Sequence, residues 1–361
     1  MKIVIDCRYI RLGTHDGISR FTVSLVEHLL PLLAADEHLT MLISDERQRA
    51  MLPSGVEARR VSGPTSVREP FVALQVNRLS PDVVFSPMQT MGTIGRRYPL
   101  ALTLHDLIYY AHPTPPRDLP APVRLLWRLY HRAWWPQRML LNGADAVVTV
   151  SEVTRGLIAR HRLTRRPVTV VANAAERPDP APERMRPESI ELVYMGSFMP
   201  YKNVETLASA LHHLPGAALH LLSRIRPADK DRMIALAPAG AIIAHDGVSD
   251  AEYHRLLDGA TALVHASRDE GFGIPLVEAM GRGTPVVASD IPIFRELGGD
   301  AVLYASADDP ATFAAAVRSL LEPGQWEARS AAGVRQAARF DWECSAGVLL
   351  HLLRELAARG R

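Results

Sequence analysis

Ser267-Arg-Asp-Glu-Gly-Phe-Gly-Ile-Pro-Leu-Val-Glu-Ala-Met-Gly-Arg-Gly-Thr-Pro-Val-Val-Ala-Ser289 is the stretch around which the rest of the chain is organised. An apolar run, Ala262–Ala266, delivers the chain into an acidic, glycine-rich turn, and Pro275 stands where the first turn of a helix is expected. The unit is therefore strand, loop, helix. Gly271 and Gly273 let backbone amides approach a ligand, and a helix starting near Ile274 points its unsatisfied N–H groups and positive dipole end at the same place. Such a place suits a phosphate. Glu270 and Glu278 bracket it; carboxylates are poor phosphate ligands but good acceptors for sugar hydroxyls, so the pattern reads as a nucleotide-sugar pocket. A tight turn carrying two solvated acids has the same spacing and stays open at this point.

The full string is more specific than its spacing. Glu270-(x7)-Glu278 within EGFGIPLVEAMGRGTPVVASD resembles the donor-site signature of the retaining glycosyltransferases of family 4, whose GT-B fold has two facing Rossmann-like doubly wound domains. The resemblance implies that Glu270 contacts the transferred sugar and Glu278 the nucleotide ribose. Phe272, Gly273, Ile274, Pro275 and Leu276 between them would complete this side of the donor site.

The 361 residues suit two domains, and 47% hydrophobic with 22% charged residues is ordinary for a globular protein with real cores. A net charge of +2 gives no argument for nucleic acid. Cys7 and Cys344, two and far apart, fit a reducing compartment and neither a disulfide framework nor a zinc site. Met1–Asp6 is too short an apolar run for a signal peptide, and no run approaches a membrane span, so a cytoplasmic location is expected.

Short β-rich runs alternate with helical patterns, the signature of βαβ units and parallel sheets. Strands are expected at 2–6, 39–43, 56–61, 82–85, 100–104, 146–150 and 168–171, with a helix over 17–33. Pro178, Pro180, Pro182 and Pro187 among charges mark an inter-domain linker. Strands resume at 191–195, 218–222, 241–244, 262–265, 285–288 and 301–304. The expected organisation is an N-terminal Rossmann-like acceptor domain (1–175), the linker (176–188), a nucleotide-sugar donor domain (189–340) and a closing helix (341–361). By the resemblance, that helix, with its stripe Ala346, Leu349, Leu350, Leu353 and Leu356, packs back on the first domain.

Ligands in such sheets bind at the carboxyl ends of strands. Asp16-Gly-Ile-Ser-Arg20 follows the first strand, and the resemblance brings Gly17 and Ile18 near the donor diphosphate and the acceptor. His105-Asp106 ends the strand over 100–104; the resemblance gives His105 the transferred sugar, while Asp106 either fixes the imidazole tautomer or caps the next turn. Lys202 closes the loop after the strand over 191–195, a natural counter-charge for a leaving diphosphate. Ser197 and Tyr201 stand where many family members have arginine, which leaves Lys202 alone with the helix amides or helped by Arg224 or Arg226. Asn173-Ala-Ala-Glu176 and Ser223–Arg226 also depart from the family pattern, at the hinge and the base pocket. Ser249 and Glu252 make a capping box, yet the loop with Val248 and Asp250 resembles the family's base-binding loop, and a carboxylate at Asp250 would read guanine. In 117–141, Arg124, Arg128, Arg132 and Arg138 mix with Trp127, Tyr130, Trp134 and Trp135. Such a stretch either lies on an anionic membrane or is a buried aromatic helix edged by arginines.

The resemblance implies a metal-independent hexosyltransferase with no cofactor beyond a GDP- or UDP-linked sugar co-substrate. GDP-mannose is favoured, with a glycan or lipid-linked acceptor, no nucleic-acid partner, and peripheral contact with the inner membrane surface. A UDP-sugar enzyme, an epimerase of the same fold and a two-lobed binding protein without chemistry are the alternatives.

Overall fold

A computed structural model describes residues 1–13, 17–115, 120–176, 178 and 184–360; Asp16, residues 117–119, Pro180 and Pro182 lie outside the described residues. The chain divides into two compact units: Met1–Asn173 together with the C-terminal segment from Asp341, and Ala174–Phe340.

In the first unit seven strands form one parallel sheet: β1 (Lys2–Asp6), β2 (His38–Ile43), β3 (Glu57–Arg60), β4 (Val83–Ser86), β5 (Leu100–Leu104), β6 (Ala146–Thr149) and β7 (Val168–Val170), in the order β3-β2-β1-β4-β5-β6-β7. The second unit holds β8 (Glu191–Tyr194), β9 (Ala218–Leu221), β10 (Ile242–Ala244), β11 (Ala262–His265), β12 (Val286–Ser289) and β13 (Leu303–Ala305), in the order β10-β9-β8-β11-β12-β13, again all parallel. Every expected strand is present within two residues of its expected bounds. β4, β5, β6, β11 and β12 are buried along their whole length, as parallel strands covered on both faces must be. Edge strand β10 is not.

The helix expected over 17–33 is α-helical from Gly17 to Leu29 and then tightens into a 3-10 turn, Leu30–Leu32, because Pro31 lacks an amide and blocks a further α-turn. The closing helix, Trp342–Arg359, is capped by Asp341 and packs on the Gly17–Leu29 helix; Phe21 and Trp342 meet edge-on at 6.2 Å. Its stripe Ala346, Leu349, Leu350, Leu353 and Leu356 is buried. The described end of the proline-rich segment is not a loose spacer. The Arg184 side chain donates to Asp258 Oδ1 at 3.1 Å and to the Arg282 carbonyl at 2.9 Å, which ties this segment to the second unit.

Strand order reverses between β1 and β4 in the first unit and between β8 and β11 in the second. At the first of these points Arg8, fully buried, makes paired bonds to Asp6 (2.7 and 2.9 Å) and to Glu69 (2.6 and 2.9 Å), while Ser86 donates to Asp6 at 3.1 Å. This ion triad braces the loop that leaves β1.

Candidate functional site

In the second unit the carboxyl ends of β8 and β11 adjoin, and a doubly wound sheet opens its ligand crevice at such a switch point. Two loops leave from there. They are pinned by Asn203, whose backbone is left-handed (φ 54°) and whose Nδ2 donates to the carbonyls of Ala266 (3.2 Å) and Ala307 (2.7 Å). The Arg268 amide adds a bond to the Tyr201 carbonyl at 2.8 Å. This clamp places Lys202 against Glu270: the ammonium bonds Oε1, and both side chains are largely buried. Burial alone would push the Glu270 carboxyl up, but the Lys202 ammonium, and after it the Ser267 hydroxyl, hold it below the usual carboxylate range. The site therefore carries a compensated pair of charges, an ammonium that a phosphate can share and a carboxylate that a sugar hydroxyl can approach.

The helix Ile274–Gly281 starts beside this pair. Gly273 enters it at φ 115°, ψ 52°, a left-handed conformation that favours glycine, with Phe294 3.0 Å from where a Cβ would stand. Its amide supply is smaller than the sequence implied. Pro275, at the second helical position, has no N–H, and the Leu276 side chain is fully buried in the core while its amide donates to the Gly273 carbonyl at 3.0 Å. In the first turn the Ile274 amide, with no partner among the described residues, is a donor still available. Phe272 is also turned inward, edge-on to Phe340 at 5.8 Å. Glu278 is buried against the neighbouring Asp250–Asp258 helix, where the Tyr253 hydroxyl donates to its Oε2 at 2.8 Å.

Asp250 is the first residue of that helix and is exposed, while Ser249 caps it by accepting the Glu252 amide at 3.2 Å. The box is half made: the Glu252 carboxylate turns to Arg255 (2.9 and 2.6 Å). Val248 follows Gly247, whose backbone lies against the Arg224 side chain, so Arg224 borders the base-loop region. Arg226 is bound to Asp229, at 2.7 Å through Nε. Ser197 is exposed, and its carbonyl accepts the Tyr194 hydroxyl at 2.6 Å.

In the first unit, Gly17 and Ile18 open the Gly17–Leu29 helix. His105 follows β5 and donates from Nε2 to the Pro87 carbonyl at 2.8 Å, with Phe21 edge-on at 5.1 Å; since a carbonyl only accepts, Nε2 carries the proton. Asp106 accepts the Ile108 amide at 3.0 Å, which is the turn-capping alternative. The aromatic-basic stretch combines parts of both expectations. Trp127, Tyr130 and Trp134 turn inward, Trp127 edge-on to Tyr109 (5.0 Å) and Trp134 stacked on Tyr110 (4.0 Å). Leu125 (58% exposed), Leu126 (66%), Leu129 (53%), Trp135 (64%) and Met139 (65%) face outward with Arg128 and Arg132. No described helix is long and apolar enough to cross a membrane.

His265, Ser267 and Tyr253 were not singled out by sequence. One signal existed: a histidine and a serine two apart at the end of an otherwise apolar strand point to the same face.

With this geometry in view, the matches to known proteins decide the family. Residues 16–176 match Glycosyltransferase Family 4, and residues 176–338 match Glycosyl transferases group 1. The chain belongs to glycosyltransferase family 4. It is 29% identical over 262 residues to an O-antigen chain mannosyltransferase B of Escherichia coli (67% of this chain, 66% of the relative). It is 26% identical over 225 residues to the O-antigen chain mannosyltransferase RfbU of Salmonella typhimurium (61% of this chain, 60% of the relative). The chain thus spans less than two thirds of the length of these relatives. Among solved structures it superposes on sucrose-phosphate synthase of Thermosynechococcus elongatus (TM-score 0.73, 19% identity, 99% of both chains). It also superposes on HepE of Anabaena in complex with UDP and glucose (TM-score 0.70, 17% identity, 99% of this chain and all of that one). The fold of this family member is accordingly GT-B.

Proposed function

We propose that the protein transfers a hexose with retention from a nucleotide-sugar donor to a hydroxyl of a glycan or lipid-linked acceptor, and that the donor is GDP-mannose. The observation that carries the reading is the Lys202–Glu270 pair at the β8/β11 switch point beside a helix N-terminus. Mannosyltransferases of O-antigen chains among the relatives support the choice of sugar, and an exposed Asp250 beside the base loop supports guanine.

In this reading the donor's C1–O bond breaks with its electron pair going to the β-phosphate oxygen. Lys202 shifts its charge onto that phosphate, helped by the Ile274 amide, and Glu270 steadies the cationic sugar. The acceptor oxygen attacks C1 on the face the phosphate leaves, and its proton passes to the departing phosphate. His105 serves the transferred sugar, and Glu278 the ribose. No metal is required in this scheme. The outward leucines, Trp135, Arg128 and Arg132 rest on an anionic membrane face, on the cytoplasmic side, which would bring a lipid-linked acceptor within reach.

A panel of GDP- and UDP-sugars scored by thermal stabilisation, then by turnover with and without acceptor, tests the proposal. A ligand at 100 times its Kd adds about 2.7 kcal/mol to stability. Acceptor-dependent release of GDP is expected. Stabilisation by UDP-sugars alone would move the donor to the UDP class, turnover without acceptor would favour an epimerase, and stabilisation without turnover would favour a binding protein.

A further inference from the structure

Glu270 is held through one of its two oxygens. Oε1 accepts from Lys202 and, at 2.9 Å, from the Ser267 hydroxyl, and lies 3.7 Å from His265 Nε2. Among the described residues no group hydrogen-bonds Oε2. Ser267 Oγ is also 3.0 Å from His265 Nδ1. The protons can be placed by elimination. An ionised carboxylate only accepts, so the single hydroxyl proton of Ser267 goes to Glu270, and the imidazole nitrogen facing Ser267 must be the donor. The chain of bonds runs from His265 Nδ1–H to Ser267 Oγ–H to Glu270 Oε1. The imidazole is fully enclosed, at 5.3 Å between ring centres from Tyr194 and 5.4 Å from Phe294. Tyr194 is itself fixed by its bond to the Ser197 carbonyl. Burial pushes the His265 pKa down to about 4, so at neutral pH it has one ring proton and Nε2 is bare.

We propose that His265 and Ser267 are positioning residues for Glu270. They keep Oε1 occupied so that Oε2 is the oxygen presented to the transferred sugar, and they retain the carboxylate when Lys202 swings from it to an arriving diphosphate. The inference deepens the transfer reading above and rests on it for the identity of the ligand. Without the relay, departure of Lys202 would leave a buried carboxylate with no donor on either oxygen among the described residues. With it, one charge-assisted hydrogen bond survives the exchange.

Four variants of the full chain and one spectroscopic measurement test it. An asparagine amide can reproduce Nδ1–H, a glutamine amide reaches only as far as Nε2, and threonine keeps the hydroxyl that alanine removes. Ser267→Ala and His265→Gln are expected to lower kcat by about 10- to 100-fold with donor KM unchanged, while Ser267→Thr and His265→Asn stay close to the parent. Equal losses in the asparagine and glutamine variants, or an unaffected kcat in Ser267→Ala, would overturn the proposal. In the unaltered protein, ¹⁵N NMR of the His265 ring at pH 7 should find the proton on Nδ1, and a proton on Nε2 would overturn the relay without reference to activity or to variant folding. Absence of turnover in the parent with every donor would count against the transfer reading, and the ring tautomer would still decide the relay.

Discussion

At position 270 a carboxylate and an ammonium share a buried place, and in the proposed transfer each must let go of the other. A contact that strengthens as charge develops on the sugar acts on the transition state, whereas one to the ribose acts equally before and after. Glu270→Ala is therefore expected to lower kcat with little change in donor KM, and Glu278→Ala to raise donor KM with kcat largely kept. Steady-state kinetics with one donor checks both, and KM effects alone in both variants would reverse the assignment. His265 adds a pH signature. Its pKa falls from the ordinary 6.5 to about 4 in the fold. Below pH 6.5 the unfolded chain takes up a proton that the folded one refuses, so stability is lost as pH falls from about 6.5 to about 4, by roughly 3 kcal/mol at 1.36 kcal/mol per unit. Glu270 acts in the same direction: its pKa is depressed, so its contribution is present above the carboxylate range and lost as pH falls through the folded value. Melting temperature against pH should show this acid limb, flattened in His265→Asn.

Two helix starts carry the donor side in the proposed reading. Gly273 turns the chain into Ile274–Gly281 through a left-handed residue packed on Phe294, so Gly273→Ala strains the backbone and crowds the ring. A cost of about 1–3 kcal/mol is expected from the urea midpoint, together with weaker donor binding, because the Ile274 amide moves with the turn. The other start is that of Asp250–Asp258. Because Ser249 supplies the cap, Asp250→Asn should leave the melting temperature nearly unchanged and cost about 1–3 kcal/mol in GDP-sugar affinity with little effect on UDP-sugars. Titration calorimetry with both nucleotide classes separates the outcomes; equal losses on both would leave Asp250 without a base-reading role.

For the whole molecule, the outward row Leu125, Leu126, Leu129, Trp135 and Met139 lies beside the exposed Arg128 and Arg132. If it meets anionic lipid, each arginine near the surface contributes about 1 kcal/mol. Arg128→Gln with Arg132→Gln should weaken sedimentation with anionic vesicles roughly 30-fold, high salt should mimic the change, and turnover on a short water-soluble acceptor should persist. Vesicle binding absent in the parent would make a soluble acceptor the better choice.

The sequence by itself determined the strands, their parallel alternation and the two-part division, because hydrophobic periodicity and proline placement are local properties of the chain. It also made Glu270 and Glu278 candidates, through one string of residue types, and Lys202 and His105, through their places at the ends of strands. What only tertiary structure decided are the partnerships. Lys202 lies 68 residues from Glu270, and the two meet because β8 and β11 are neighbours in the sheet. Tyr253 reaches Glu278 across helices, and Leu276 is core because its amide and side chain are both committed inward. Trp127 and Trp134 likewise turned in and Leu125, Leu126 and Leu129 out, since Tyr109 and Tyr110 offered the two rings a face to pack on. Side-chain pairing over such separations depends on which strands adjoin, and no local pattern encodes that.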